Sequence, residues 1–317
     1  MKIYTVNATC ELADLTARLA AGNPLDEKIV FCEDKFTLEL EIALSRKYGG
    51  TFGTKVFTFN RFMHKFLPDD GKLLSPESAA LVVKRLLLEH KGELGCFKNV
   101  YDPNLAGVVY ELIAQLKSAK IAPADVLRAA EGCGGILKRK LDDVYLIFSA
   151  YEKYIAENGL TDGNNRLSRL PKFFAESEAV KNADVIVAGF PSLNRTLCEI
   201  FISLSKNAKS LTFALVAGEN KGVYTNETFN FAMTFAGAEH IAEKTTGVRK
   251  RLLDSLFSPG VKNKNGEFCP DIHVYRAQSV TEEVEYVAKL IANGVRRNAA
   301  VGLDYGQRYK SYAVCAE

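Results

Sequence analysis

The sequence lacks the glycine-rich segment with which nucleotide-binding α/β proteins hold phosphate groups. Its first apolar stretch is Lys2–Val6, and the first glycine of the chain is Gly22. The pattern G-x-x-x-x-G-K-[ST] therefore does not follow that stretch, and no G-x-G-x-x-G follows any predicted strand. A later apolar stretch, Asp184–Phe190, ends in Gly189-Phe190, where a nucleotide hydrolase would carry an Asp-Glu pair for Mg²⁺ and water. We expect a fold like that of an ATPase, but without ATP hydrolysis and without a bound cofactor.

Paired cysteines are missing as well. Seven cysteines are spread along the chain without any C-x-x-C spacing, at positions 10, 32, 96, 133, 198, 269 and 315. An odd number without paired spacing supports neither a disulfide framework nor a zinc or iron–sulfur site, so we predict reduced, mostly buried thiols. No His, Asp or Glu cluster has metal-ligand spacing, and no metal site is expected. Asp142, Asp143 and Glu152, on the flank of one helix, are predicted to be ion-pair partners.

Long apolar runs and strong charge are also absent. No apolar run approaches the ~18 residues that span a bilayer, and the N-terminus is a strand rather than a signal sequence. We therefore predict a cytoplasmic protein without membrane contact. The net charge of +3, with a pI of about 8.3, is too small to identify a nucleic-acid binder. The basic runs Lys138–Lys140 and Arg249–Arg251 are better explained as solvated helix faces than as nucleic-acid contacts.

What is present is an ordinary globular composition, 47% hydrophobic and 25% charged, in a chain of 317 residues that is long enough for two domains. Strands and helices alternate at first, as in βαβ units. The predicted strands of this part are Lys2–Val6, Lys28–Cys32 and Thr54–Phe59, and the predicted helices are Glu11–Ala21 and Lys35–Tyr48. We expect these strands to be buried on both faces, because they consist of apolar residues.

The middle of the chain is predicted to be all helical. Ser75-Pro76-Glu77 begins one helix, with Ser75 as N-cap and Pro76 at the first helical position. Two later helices carry apolar stripes, and the strand–helix alternation resumes at Val185–Ala188 and Leu211–Val216. A further strand at Ile272–Tyr275 and a capping box at Ser279–Glu282 indicate another α/β unit. The predicted domains are therefore 1–69 with 181–265, a helical insertion 70–180, and the truncated start of a second α/β domain at 266–317.

Taken in order, several segments resemble the N-terminal half of the AddB/RexB family, the B subunit of the bacterial AddAB (RexAB) helicase–nuclease. No single motif decides this resemblance, which depends on the order and spacing of the segments up to about residue 295. The matching segments are Cys32–Glu41, Val56–Phe62, Leu137–Tyr145 with Tyr151–Tyr154, Asp162, Val185–Leu193, and Tyr275–Ser279 with Glu282–Glu285. The segment Asn298–Glu317 follows the family pattern poorly.

The resemblance implies a RecA-like, superfamily 1 helicase-like sheet in an N-terminal piece of a larger protein. It implies a part in DNA double-strand break repair and recombination, with an AddA/RexA-type helicase–nuclease subunit and single-stranded or broken duplex DNA as partners. We do not extend the ATP binding of this family to the present chain, because the phosphate-binding loop is missing. The family's nuclease domain lies beyond these 317 residues, so we expect this part to be a non-catalytic scaffold of an ATP-dependent deoxyribonuclease and helicase.

The carboxyl edge of the predicted sheet is where ligands of parallel α/β proteins bind, and the resemblance places this edge on the path of single-stranded DNA. The DNA-binding candidates there are Lys35, Thr37, Thr58, Phe59, Arg61 and Phe190. The competing interpretation makes Phe59 and Phe190 core residues, pairs Arg61 with a carboxylate, and gives Lys35 and Thr37 only a role in opening a helix. His64 is predicted to be a structural or surface residue.

Two other functions stay open from the sequence. One is a protein-interaction module whose helical insertion docks a partner and which never contacts nucleic acid. The other is a small-molecule enzyme with a Rossmann-type crevice, which the missing glycine pattern disfavours. Salt-dependent binding of single-stranded DNA would separate the scaffold from the interaction module, and dinucleotide binding would favour the enzyme.

Overall fold

The computed structural model of the chain describes residues 1–21, 26–49, 53–67, 72–217, 226–243, 275–296, 301–305 and 312–316. The strands, in chain order, are β1 Lys2–Val6, β2 Lys28–Cys32, β3 Thr54–Phe57, β4 Lys72–Leu73, β5 Leu160–Thr161, β6 Asp184–Ala188, β7 Ser210–Val216, β8 Glu239–Ala242, β9 Val301–Tyr305 and β10 Tyr312–Ala316. The helices are α1 Leu12–Leu19, α2 Thr37–Tyr48, α3 Phe59–Phe66, α4 Pro76–Glu89, α5 Leu105–Ser118, α6 Pro123–Glu131, α7 Gly135–Glu157, α8 Gly163–Leu167, α9 Leu170–Glu176, α10 Glu178–Lys181, α11 Arg195–Asn207, α12 Glu227–Ala232 and α13 Val280–Arg296.

Six of the strands form one parallel sheet in the order β3-β2-β6-β7-β1-β8. The sheet confirms the predicted α/β class, while its finer RecA-like description stays a prediction. All five residues of β2 are buried, as expected for a central strand with helices on both faces. Even Lys28 is buried there, and its ammonium group donates a hydrogen bond to the carbonyl of Ala20 over 3.0 Å.

The two faces of the sheet carry different cores. On one face, α1 and α2 pack aliphatic side chains such as Leu12, Leu15 and Leu40 against the strands. The other face is built largely from phenylalanine, with Phe31 stacked on Phe59 at a centroid distance of 4.8 Å. The remaining fully or largely buried rings of this face are Phe57, Phe62, Phe174, Phe190, Phe201 and Phe213.

Helices α4 to α7 enclose a third core of their own, centred on Val83, Ile113 and Phe148. The strands β4 and β5, which the sequence analysis did not predict, flank these helices along the chain and pair with each other in parallel. The C-terminal end of α5 is fixed to α11, because Thr196 Oγ1 donates to the carbonyl of Ser118 over 3.0 Å. The domain boundaries proposed from the sequence stay predictions.

The third strand is shorter than predicted. It ends at Phe57, and Thr58 is the N-cap of α3, since its side chain accepts a hydrogen bond from the N–H of Arg61 over 3.2 Å. The N-cap Ser75 and the first-turn Pro76 of α4 are confirmed. The basic run Arg249–Arg251, predicted to be a solvated helix face, lies outside the described residues, as does the predicted strand 272–275 apart from its last residue.

The last part of the chain differs from expectation in two ways. Ser279 caps α13 through the N–H of Glu282, but the Glu282 carboxylate accepts from the N–H of Gln278 rather than that of Ser279. The segment that fits the family poorly contains β9 and β10, which pair antiparallel. No helix within the described ranges is long and apolar enough to cross a bilayer.

Candidate nucleic-acid interface

The predicted DNA-binding residues follow three strands that are neighbours in the sheet. Lys35 and Thr37 follow β2, Thr58 to Arg61 follow β3, and Phe190 follows β6, and the sheet order places β2 between β3 and β6. The carboxyl ends of parallel strands lie at one edge, so the structure brings all three connections to the same edge of the sheet. Their side chains nevertheless differ strongly in exposure.

Lys35 is half-exposed, whereas Thr37 is not available to a ligand. Lys35 lies in a 3₁₀ turn, with its ammonium 3.2 Å from Glu33 Oε2. This is an ion-pair distance without hydrogen-bond geometry, and Oε2 itself is buried without a hydrogen-bond partner. Thr37 is buried at the start of α2, where its hydroxyl lies 3.7 Å from the sulfur of Cys32. The Lys35 ammonium group is therefore accessible to a ligand at this edge, whereas Thr37 contributes to packing.

Cys32, the last residue of β2, lies under this edge. Burial raises the pKa of its thiol from 9.0 to about 11, because the thiolate would be poorly solvated there. The hydrogen bond with Thr37 opposes that rise but does not cancel it. The thiol is therefore neutral at physiological pH and has no nucleophilic role.

Arg61 lies in the first turn of α3, and its guanidinium is 3.4 Å from Glu41 Oε1 on α2. Both side chains are about half exposed, and such surface pairs contribute about 0–1 kcal/mol to stability. The ion pair expected under the competing interpretation is therefore present. It is weak enough for Arg61 to exchange Glu41 for a phosphate or a base edge.

Phe59 and Phe190 belong to the core. They are 7% and 6% exposed, and their ring centroids lie 5.6 Å apart. Phe59 also stacks on Phe31 of the central strand. A base could reach either ring only after the phenylalanine face had been repacked, so in this structure neither ring forms a stacking platform.

The turn after β6 is closely packed by apolar side chains. Gly189, directly after β6, has a φ of +81°, and a Cβ added to it would lie 2.8 Å from the ring of Phe36 and 3.2 Å from Leu12. Leu12 and Phe36 are themselves buried. The start of α1 also carries Glu11 and Asp14, which would repel a phosphate. Close packing and negative charge at this part of the edge therefore disfavour a bound phosphate.

The charges of this edge do not add up to a basic patch. Glu33, Asp34 and Glu41 surround the cations of Lys35 and Arg61. One further cation, Arg195, which was not among the predicted residues, lies at the start of α11 after the β6 connection. Its exposed side chain lies 4.0 Å from Glu199. In the sequence, the Asn-Arg pair directly after a predicted strand and turn indicates a helix start that places Arg195 at this edge, and Asn194 is indeed the N-cap.

The three carboxylates of α7 that were predicted to be ion-pair partners have two different roles. Asp142 pairs with Lys138 at 3.8 Å, and Glu152 pairs with Lys117 at 2.5 Å, as predicted for ion-pair partners. Asp143 was predicted wrongly, because it accepts three backbone N–H groups from a loop instead of pairing with a cation. The donors are Gly95 at 2.8 Å, Cys96 at 2.6 Å and Phe97 at 2.8 Å.

The second buried polar cluster joins α5, α7 and α8. The Lys117 ammonium lies 2.6 Å from Asp162, which is also the N-cap of α8 and accepts from the Tyr151 hydroxyl over 3.2 Å. Burial raises the pKa of Tyr151 strongly. His64, predicted to be structural or on the surface, is exposed and lies 3.3 Å from the buried Arg166. Across the described residues, no three His, Cys, Asp or Glu side chains converge as metal ligands.

The comparisons with known proteins agree with one another. The family described as "ADDB, N-terminal" matches residues 12–253. Two relatives, from Bacillus licheniformis and Bacillus subtilis, are each named as the B subunit of an ATP-dependent helicase/deoxyribonuclease. They are 27% and 24% identical over 209 residues, which is 61% of this chain and 18% of each relative. The protein of the same name from Staphylococcus saprophyticus is 24% identical over 320 residues, covering 92% of this chain and 27% of the relative. The chain thus spans only about a quarter of these relatives or less.

Proposed function

The chain belongs to the family described as ADDB, N-terminal, and on that premise we propose that it is the N-terminal region of the B subunit of an ATP-dependent helicase/deoxyribonuclease complex. The curated relatives bear that name. In this proposal the region is a non-catalytic scaffold that acts in the repair and recombination of broken DNA. It contacts a helicase–nuclease subunit and single-stranded DNA.

The observation that carries the non-catalytic role is the filled carboxyl edge of the sheet. Phosphate binding at such an edge requires backbone N–H groups that point at the ligand and a helix N-terminus without competing anions. Here the ring of Phe36 packs onto Gly189, and the N–H of Gly189 donates to the carbonyl of Ala214 over 3.1 Å. A nucleotide would have to displace buried apolar side chains, so the region supports other subunits rather than hydrolysing ATP.

Contact with DNA is assigned to the exposed cations of the same edge, Lys35, Arg61 and Arg195. Arg61 and Arg195 are each in a surface ion pair, which a phosphate can replace at small cost. Lys35 pairs with Glu33 and also lies over the ring of Phe36, 5.2 Å from its centroid. An arginine can also read a guanine edge through two parallel hydrogen bonds. Phe59 and Phe190 have no part in this proposal because they are buried.

The test of the complex is co-purification of the full-length protein with a candidate A-type helicase–nuclease subunit, followed by a nuclease assay on linear duplex DNA with ATP. We expect a stable complex and ATP-dependent degradation of the duplex that neither protein achieves alone. Two proteins that elute separately, or an activity that does not change when this protein is added, would contradict the assignment.

The test of the DNA contact is Arg61→Ala in the full-length protein. We expect single-stranded DNA binding to weaken by roughly 1–3 kcal/mol if Arg61 reads a base, and the salt dependence to fall by about one counterion if it meets a phosphate. Arg85→Ala is the matched control, because Arg85 is similarly exposed and pairs with Glu89 on α4. Unchanged DNA affinity together with a lower melting temperature would make Arg61 a purely structural ion-pair partner.

The surplus of carboxylates at the edge favours one second candidate, a protein-interaction module without DNA contact. Glu33, Asp34 and Glu41 lower the local potential that attracts a polyanion. Fluorescence anisotropy of a labelled single strand at increasing salt distinguishes the two. Binding that weakens steeply with salt supports the DNA contact, and no binding at low salt supports the interaction module.

A further inference from the structure

The helical part of the chain contains an open apolar groove of about 440 Å³ between α5, α6 and α7. It is separate from the carboxyl edge of the sheet. Its main apolar residues are Leu112, Leu116, Ile121, Val126, Leu137 and Leu141. The groove has no aromatic ring in its lining and only two polar residues, Asp125 and Lys140.

The apolar stripes that form the groove continue out into solvent. On α7, Leu137, Leu141 and Val144 follow one another at helical spacing, and exposure rises from 3% at Val144 to 55% at Leu137. On α5, Val108 precedes Leu112 by one turn and is 62% exposed. An apolar stripe that leaves the core in this way indicates a contact surface for another molecule.

One cation lies at the rim of the groove. Lys140 lines the groove from the second turn of α7, near the end where the helix dipole favours anions, and it has no ion-pair partner in the described part of the chain. Its neighbour Lys138 is paired with Asp142 at 3.8 Å, and Arg139 lies on the other side of α7, against Gly95.

The facing carboxylate does not offset this charge. Asp125 is paired with Arg128 and accepts the N–H of Ala122 over 2.8 Å. Those contacts lower the pKa of Asp125, the hydrogen bond from Ala122 most. The groove therefore offers an apolar floor beside one cation, Lys140, that has no ion-pair partner in the described part of the chain.

We propose that this groove binds an amphipathic helix of the A-type subunit, with leucine-like side chains in the groove and a carboxylate against Lys140. The inference rests on the proposed function, which requires a second subunit. Helix-in-groove recognition needs an apolar groove for the apolar face of the helix, and Lys140 adds a charge at the rim of this one. A small ligand would find no buried polar group to orient it. A nucleic acid would find no ring on which to stack its bases.

The experiment uses titration calorimetry to measure the affinity of the full-length protein for the purified A-type subunit. Leu137→Ser removes an exposed groove residue, and Lys140→Glu reverses a rim charge; we expect each to weaken the complex roughly tenfold. The controls are Leu81→Ser on α4, 70% exposed, and Lys153→Glu, also exposed but near the other end of α7. Both controls should bind as the wild type does, and thermal melting should show all four variants folded.

The different failures are distinguishable. A wild-type protein that does not bind the A-type subunit at all overturns the proposed function and the groove proposal with it. Wild-type binding that both groove variants retain overturns the groove alone. If Lys140→Glu keeps its affinity for the A-type subunit and loses salt-dependent binding of a single-stranded oligonucleotide, the rim contacts DNA and the helix proposal is wrong.

Discussion

At the scale of single residues, the close approach of Gly189 and Phe36 determines how tightly the carboxyl edge of the sheet is packed. A left-handed backbone conformation permits the sharp turn after β6, and the missing side chain lets the phenyl ring lie against the main chain. Any larger residue would open this contact. Gly189 is therefore a packing requirement rather than a remnant of a phosphate loop.

Gly189→Ala should lower the free energy of unfolding by roughly 2–5 kcal/mol. The left-handed conformation costs an alanine about 1–2 kcal/mol, and the overlap with Phe36 adds a similar amount or more. Gly107→Ala is the control, since a Cβ there meets nothing within 4 Å and Gly107 lies in α5. Chemical denaturation should show that variant unchanged or up to about 1 kcal/mol more stable. Equal stability of the two variants would contradict the close approach.

The thiol of Cys32 should resist alkylation. Its pKa of about 11 keeps it protonated, and it is buried, whereas Cys96 is exposed. Iodoacetamide at pH 8 should therefore modify Cys96 long before Cys32, as measured by peptide mass spectrometry. Because the folded pKa lies above 9.0, the stability that Cys32 contributes is present below about pH 9 and is lost as the pH rises toward 11. Rapid labelling of Cys32 in the native protein would contradict its burial.

At the scale of elements, α7 organises the helical part through two carboxylates. Asp143 holds the loop at residues 95–97 by three backbone N–H groups, and Glu152 pairs with Lys117, which also contacts Asp162. Charge-assisted hydrogen bonds of this kind are stronger than neutral ones. A single helix therefore fixes both the loop after α4 and the connection into α8.

Asp143→Ala should destabilise the protein by about 3 kcal/mol, because it removes the buried acceptor of three charge-assisted hydrogen bonds that each contribute about 1 kcal/mol or more. Asp142→Ala is the control at the neighbouring position, where only an exposed pair with Lys138 is lost. That change should stay within about 0.5 kcal/mol. The measurement is thermal and urea unfolding of both variants. Similar small effects in the two would show that water replaces the carboxylate of Asp143.

At the scale of the whole molecule, polar contacts join the bundle of helices to helices that lie beside the parallel sheet. Thr196 bonds to Ser118, Lys120 pairs with Glu199 at 3.2 Å, and Asn164 bonds to the carbonyl of Ala114 over 3.3 Å. These contacts all involve the end of α5 or its neighbours. They connect this end of the bundle to α8 and α11.

The whole molecule should neither bind nor hydrolyse ATP. Leu12 and Phe36 pack against Gly189 at the carboxyl edge, and no glycine loop precedes α1. Calorimetric titration of this chain with Mg·ATP should give no heat of binding at micromolar concentrations, while a P-loop ATPase measured alongside should give a clear isotherm. Micromolar affinity in this chain would contradict both the sequence pattern and the packing of the edge.

The sequence by itself determined the class of the fold and the absence of a phosphate-binding loop after the first strand. Apolar runs such as Lys28–Cys32 and Val185–Ala188 indicate strands that are covered on both faces, and Ser75-Pro76 marks a helix start, because these signals are local in the chain. The absence of a phosphate loop is equally local. The family resemblance depended on the order of such segments, and the match over residues 12–253 bears it out.

Only the tertiary structure decided which side chains reach the surface of the carboxyl edge. Phe59, Phe190 and Thr37 follow strands just as Lys35 and Arg61 do, but they are buried by residues distant in the chain. The role of Asp143 likewise depends on N–H groups almost 50 residues away, which no helical periodicity reveals. Burial and hydrogen bonding at these sites depend on contacts between remote segments, so they follow from the packed fold and not from local sequence.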